Sequence, residues 1–295
     1  MTSLPLSIGW SVLPLPLSAA LSLACGPPEG AADASCRSWS TPLERGVVAD
    51  GDVDEASGLA GSPQHEGVLW THNDGDDGRL FALSDAGEVL GQVEVPADSA
   101  VDWEDLSSVT LGGESWLVVG DIGDNDAERS EVAVVWVPEP ADPEAVTSLP
   151  AVTRVPATLP GGPADAEALF VDPATGTPHL VTRDADEARV YALPGREDAG
   201  GPATLVATLA LPGGTGGVRA ADLSADGTTL VFRTTDAVLA WTVQGDGLSA
   251  ALARPPCESR GPIEPDGEAI AWVDGSYFTL SEGAGSTLWQ VEVQP

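Results

Sequence analysis

"EDLSSVT" (Glu104 to Thr110) and, a short turn later, "WLVVGD" (Trp116 to Asp121) form the phrase on which the fold turns. A first strand opens on a carboxylate, and a second, apolar strand closes on another. The first strand recurs as "SGLAGSP" from Ser57, "EALFVDP" from Glu167, "ADLSADG" from Ala221 and "EAIAWVD" from Glu268, at steps of 47 to 63 residues. The second recurs as "VLWTHND", "HLVTRD", "LVFRTTD" and "YFTLSE". Third strands follow as "RLFAL", "VVWVP", "RVYAL", "VLAWTV" and "TLWQV", with aromatic residues at Phe81, Trp136, Tyr191, Trp241 and Trp289. Their spacing at the repeat period predicts packing between neighbouring units. Fourth strands are read in "VLGQVEV", "AVTRVPATL", "TLVATLAL" and "GLSAALA".

Four short strands per 40 to 50 residues, separated by Gly, Pro, Asp and Asn, are the pattern of a β-propeller. The sequence therefore predicts an all-β protein of five blades, each of four antiparallel strands. Six is the alternative if the long second step hides a blade. The last unit runs out of chain after "LWQVEVQP", while "LERGVVA" (Leu43 to Ala49) is unclaimed. An N-terminal strand is expected to complete the last blade. Cys36 and Cys257 are expected to form a disulfide that staples this closure; two separate thiols are the alternative.

Residues 42–295 are thus read as one propeller domain. Residues 1–24 are apolar and free of charge, and residues 25–41 are small and polar. The first stretch reads as an export signal, the second as a flexible tether. "SLAC" (Ser22 to Cys25) is similar to a bacterial lipobox, which makes Cys25 the candidate lipidation site. Secretion without a lipid, or an uncleaved anchor, remains open. The expected location is the cell envelope, the periplasm or the medium, with membrane contact only through a lipid.

The net charge is -34, and all 12 basic residues are Arg. Nucleic acid is excluded as a partner, because its phosphates need clustered cations. In a propeller the first strands line the central channel, and the chain enters them on the face where it leaves the second strands. Openers Ser57, Glu104, Glu167, Ala221 and Glu268 should therefore meet closers Asn73, Asp74, Asp121, Arg183, Arg233 and Glu282 at one mouth. Crowded carboxylates repel one another, so arginine or a hard cation should offset them. Calcium takes six to eight oxygens from such groups. "HNDGDDG" (His72 to Gly78), "GDIGDN" (Gly120 to Asn125) and the glutamate ring supply that chemistry, which makes Glu104, Asp121, Glu167, Glu268, Glu282, Asp74 and Asn73 the candidate ligands. Ordinary solvated turns are the competing reading.

The phrases "THND", "DWED", "GDIGDN", "AEALFVDP" and "GEAIAW" resemble a group of secreted bacterial propellers, similar to the SdiA-regulated propellers and more distantly to the phytase-like esterase propellers. The resemblance spans about residues 54–294. It implies a cation-binding propeller with metal oxygens near Glu104, Asp121, Glu167 and Glu268. Ala221 lacks the acid of its counterparts, so one blade is expected to be silent.

Three functions fit this reading. The first is an exported, monomeric propeller that holds calcium and binds a small molecule or protein at the mouth. The second is a metal-dependent hydrolase of lactones or phosphate esters. There Glu104 or Glu268 would serve as general base, Arg183 or Arg233 would steady negative charge, and His72 is a further candidate base. The third is an adhesion or scaffold module.

Overall fold

The computed structural model describes Met1 and residues 36–294, apart from 76, 97–99, 185 and 260. Apart from Met1, the export segment lies outside the described residues, as do Cys25 and residues 26–35 of the tether. Arg37–Pro295 is one compact unit. Two short strands come first, β1 (Ser38–Trp39) and β2 (Leu43–Val47). The first blade holds β3 (Ala56–Gly61), β4 (Val68–Asn73), β5 (Arg79–Ser84) and β6 (Val89–Glu94). The second holds β7 (Trp103–Leu111), β8 (Glu114–Asp121) and β9 (Val132–Pro138); its outer strand, β11 (Thr153–Thr158), comes after β10 (Val146–Ser148). The third holds β12 (Ala166–Asp172), β13 (Thr177–Thr182) and β14 (Ala188–Ala192); β15 (Gly201–Pro202) precedes its outer strand, β16 (Thr204–Leu209). The fourth holds β17 (Val218–Leu223), β18 (Thr229–Thr234), β19 (Val238–Thr242) and β20 (Cys257–Ser259). The fifth holds β21 (Gly267–Val273), β22 (Ser276–Ser281) and β23 (Thr287–Gln294).

Five blades it is. The inner strands touch in a closed ring, β3 to β7 to β12 to β17 to β21 and back to β3. The long second step hides no sixth blade. Its extra residues form β10, which reaches back to pair in parallel with β6 of the first blade. β15 does the same against β11 of the second blade. Each strand covers an edge that would otherwise offer unpaired amides and carbonyls.

Closure follows the sequence. β2 pairs with β23 (Leu43 opposite Gln290), and β1 pairs with its last residues (Trp39 opposite Val293). The strand at Ser38 begins inside the stretch read as tether. Cys36 and Cys257 are joined in a disulfide, and Cys257 opens the outer strand of the fourth blade. One strand assignment is corrected. "GLSAALA" is not the fourth strand of the fourth blade but supplies the short helix α1 (Leu248–Leu252); β20 takes the edge of the sheet. Alanine and leucine are the strongest helix formers, and this segment is made mostly of them.

The apolar side chains divide into five clusters, each wedged between adjacent blades. Trp136, Leu169 and Tyr191 join the second and third; Phe170, Phe232 and Trp241 join the third and fourth. Trp70 and Trp103 join the first and second; Phe81 and Phe278 join the first and fifth. Ile270, Val231 and Tyr277 join the fourth and fifth. Four of the five third-strand aromatics are buried as expected, and Trp289 is half-buried.

Polar side chains bind the inner strands to one another across the channel. The Asp105 carboxylate, fully buried, accepts the amide of Leu169 in β12 (2.8 Å) and that of Ala221 in β17 (3.0 Å). Asp222, also buried, accepts the amide of Trp272 in β21 (2.7 Å). Ser57 of β3 and Ser108 of β7 tie the first two inner strands by donating to the carbonyls of Glu104 and Gly61, each at 2.6 Å.

Candidate functional site at the channel mouth

Every inner strand breaks register near its start. The slip lies at residues 57–58 in β3, at Glu104 in β7, at Glu167 in β12, at Arg219 in β17 and at Glu268 in β21. A bulge leaves one residue out of the ladder and re-aims its side chain. The five bulges thus deliver a ring of Ser57, Glu104, Glu167, Arg219 and Glu268. The expected fourth-blade opener, Ala221, is corrected to Arg219. "ADLS" imitates "EDLS", but its bulge lies earlier relative to the shared Asp-Leu pair. The blade expected to be silent supplies a cation.

That cation divides the mouth into two halves. Arg219 Nη1 reaches Glu167 Oε2 (3.0 Å) and Glu268 Oε1 (2.9 Å), and Arg183 Nη1 pairs with Glu167 Oε1. Burial nonetheless pushes Glu167 and Glu268 up to about 7, against the pull of these arginines. In the other half no arginine pairs with a carboxylate of the cluster, although the charge of Arg129 reaches Asp102. Oxygens of Asp74, Asp102 and Glu104 lie within 4.8 Å of one another. The Glu104 side chain is buried, and no described residue hydrogen-bonds or ion-pairs with its carboxylate. Burial first, then Asp74, Glu167, Asp102 and Asp165, push it up to about 10. Asp74 is raised by burial and by Asp102, and Asp102 by burial and, against the pull of Arg129, by Asp121, Asp165 and Asp124. Glu282 is raised by burial and by the charge of Asp74.

The "GDIGDN" loop is the back wall of this half. The amides of Ile122 and Gly123 donate to the Asp102 carbonyl (3.1 and 3.2 Å). A Cβ on Gly123 would fall 2.5 Å from Asp102 Oδ2 and closer still to Glu104 Oε1, so a side chain there would displace these carboxylates from their present positions. The loop's own acids are already occupied. Asp121, fully buried, pairs with Arg129 and Arg154, both at 2.9 Å. Asp124 caps the next turn, accepting the amides of Glu128 and Arg129. Arg129 also donates to the Gly123 carbonyl (2.6 Å), which fixes the loop.

The structure therefore brings together Glu104, Asp74, Glu167, Glu268, Glu282 and Arg183 and withdraws the other candidates. Asp121 is taken up by its two arginines. The Asn73 amide is spent on Asp52 O (2.8 Å), and its oxygen on the Glu55 amide (3.3 Å). Arg233 is buried in a pair with Glu264 (2.6 Å). His72 is fully buried, with Nδ1 2.7 Å from Asn73 O and its ring edge-on to Trp103; burial both shuts it off from solvent and lowers its pKa. Arg219 and Asp102 went unforeseen. The "DWED" phrase contained Asp102, but its place just before the strand hid its approach to Asp74.

These raised carboxyls give a pH prediction. Each holds its proton more tightly in the folded than in the unfolded chain. Their contribution to stability is full below the ordinary carboxylate range. It falls as pH rises through about 7 for Glu167, Glu268 and Asp222, and on towards about 10 for Glu104. In chelator, the melting temperature should fall between about pH 5 and about pH 8. A calorimetric melting point that rises over that range would contradict the assignment.

Fold and mouth together define a five-bladed β-propeller with an asymmetric, acid-lined opening. No protein-family model matches the chain, and no curated protein sequence does. Solved structures similar to it include a luciferin-regenerating enzyme, 8% identical over 85% of this chain and 95% of the other, with a TM-score of 0.48. Another is a structural-genomics protein of unknown function from Bacteroides thetaiotaomicron, 11% identical over 87% of this chain and 77% of that one, with a TM-score of 0.45. A nidogen/laminin complex is similar at 11% identity and a TM-score of 0.44, covering 78% of this chain and 73% of that one. Likeness at this level says nothing of chemistry. Among the described residues no helix is long and apolar enough to cross a membrane.

Proposed function

We propose that this chain is an exported propeller that binds calcium, or a similar divalent cation, through Asp74, Asp102 and Glu104, and presents it to a small-molecule or protein ligand at the mouth. The observation that carries the reading is Glu104, a buried carboxyl with acids on several sides and no arginine, while each ring acid on the opposite half has one. The donor set is oxygen throughout, as hard cations require, and three side chains leave coordination positions for water or a ligand. Gly123 keeps that space open. A bound dication would stabilise the ionised carboxylates and withdraw the cost of their crowding.

Calcium titration tests this. At a hundredfold excess over Kd, native-state binding adds about 2.7 kcal/mol. For a domain of this size that raises the melting temperature by roughly 5–10 °C. Glu104→Gln should weaken binding by roughly two orders of magnitude, since affinity follows ligand charge. No shift with calcium, magnesium or manganese would sink the reading.

One observation favours a hydrolytic variant. Glu268, held near 7 beside Arg219, is suited to exchange a proton at neutral pH. The metal would polarise the scissile group, Glu268 would take the proton from water, and Arg219 would steady the negative charge. Hydrolysis of simple esters, lactones or p-nitrophenyl phosphate that is lost in both chelator and Glu268→Gln would establish it; activity indifferent to both would refute it.

A further inference from the structure

The opposite ends of the inner strands surround a second space, independent of the mouth. It is a cavity of about 820 Å3, walled by residues from all five blades. That volume suits a small organic ligand, for which cavities of about 300–1,000 Å3 are usual. Its wall mixes apolar and polar surface, and its charged side chains are mostly acidic. Arg37 lies at the wall, donates to Thr229 Oγ1 (3.2 Å), and its charge faces that of Asp226, which also lines the cavity. Glu66, Asp274 and Glu292 line the cavity, are exposed, and have no ion pair among the described residues. Asp222 lies among the lining residues with its carboxylate fixed by backbone amides. The aromatic surface is Trp272, half-buried and set edge-on against Trp39 at 6.2 Å, which orients its ring.

We propose that this cavity binds an organic cation, a small amine with an apolar or aromatic body. Carboxylates in excess of the one arginine repel anions and draw cations into a concave space. Trp272, at the wall, would offer the body apolar ring surface and attract an adjacent ammonium group. A neutral ligand would gain the second effect and not the first.

Isothermal titration with phenethylamine, phenethyl alcohol and phenylacetate separates these contributions, because the three share one aromatic body. Calcium is kept in the buffer so that the mouth is not titrated. Phenethylamine should bind one per chain, at least about tenfold tighter than the alcohol, with phenylacetate weakest. Trp272→Ala and the exposed pair Asp274→Asn/Glu292→Gln should each weaken it several-fold. Trp272→Phe, which keeps a flat ring, should retain most of the affinity should the alanine variant not fold. Glu104→Gln at the mouth and Glu144→Gln on the remote surface should leave it unchanged. The proposal is overturned if the alcohol equals the amine. It is also overturned if binding does not saturate, or if it ignores Trp272→Ala and the double variant.

Discussion

Asp105→Ala is expected to lower stability by roughly 3–5 kcal/mol, since a buried amide left without an acceptor costs about 1–3 kcal/mol and this change strands those of Leu169 and Ala221 together. Against a total of about 5–15 kcal/mol, such a loss brings the protein close to unfolding. The cause is topological. One side chain of β7 holds β12 and β17, so its removal loosens three blades at once. Asp105→Asn keeps an oxygen acceptor and should cost less than the alanine change. Urea unfolding reads both. If the two variants lose the same stability, the charge rather than the acceptor matters; a loss under about 1 kcal/mol for alanine would show that the channel amides find other partners.

Asp121→Ala is expected to cost about 3 kcal/mol, towards the lower end for a broken buried pair because Arg129 and Arg154 keep partial access to solvent. The same position decides between two roles. As the anchor of Arg129 and Arg154, Asp121 should matter for melting and little for calcium affinity measured well below the melting point. As a cation ligand, its replacement by Asn should reduce affinity as much as Glu104→Gln does. Titrating Asp121→Asn beside Glu104→Gln makes the comparison directly. Equal losses would restore Asp121 to the metal site and overturn the ion-pair account.

The blades were legible because a strand pair ending in a turn has a strong local pattern, and five copies reinforce one another. Closure by Leu43–Val47 was legible for the same reason, since a missing strand and an unclaimed strand define each other. Less legible was anything set by a bulge. Arg219 reaches the mouth because β17 breaks register there, while the letters around Asp222 copy those around Asp105. Burial was hidden too. In a chain of net charge -34 an acid is expected at the surface, and nothing local marks Asp105 and Asp222 as channel residues. The two arginines on Asp121 come from positions 129 and 154, a pairing that depends on how the second blade folds. Of the conspicuous acids of "GDIGDN", Asp121 is met by two arginines and Asp124 by backbone amides.

The join between β2 and β23 also sets an order of events. Its two halves lie near opposite ends of the described chain, so the ring cannot shut until Thr287–Gln294 has been made. Until then the earlier blades stand as an open arc with a bare flank at each end, and a contact this distant in sequence forms slowly. The bond between Cys36 and Cys257 ties the strands that complete the last blade to the blade before it, and so latches the circle once it is drawn.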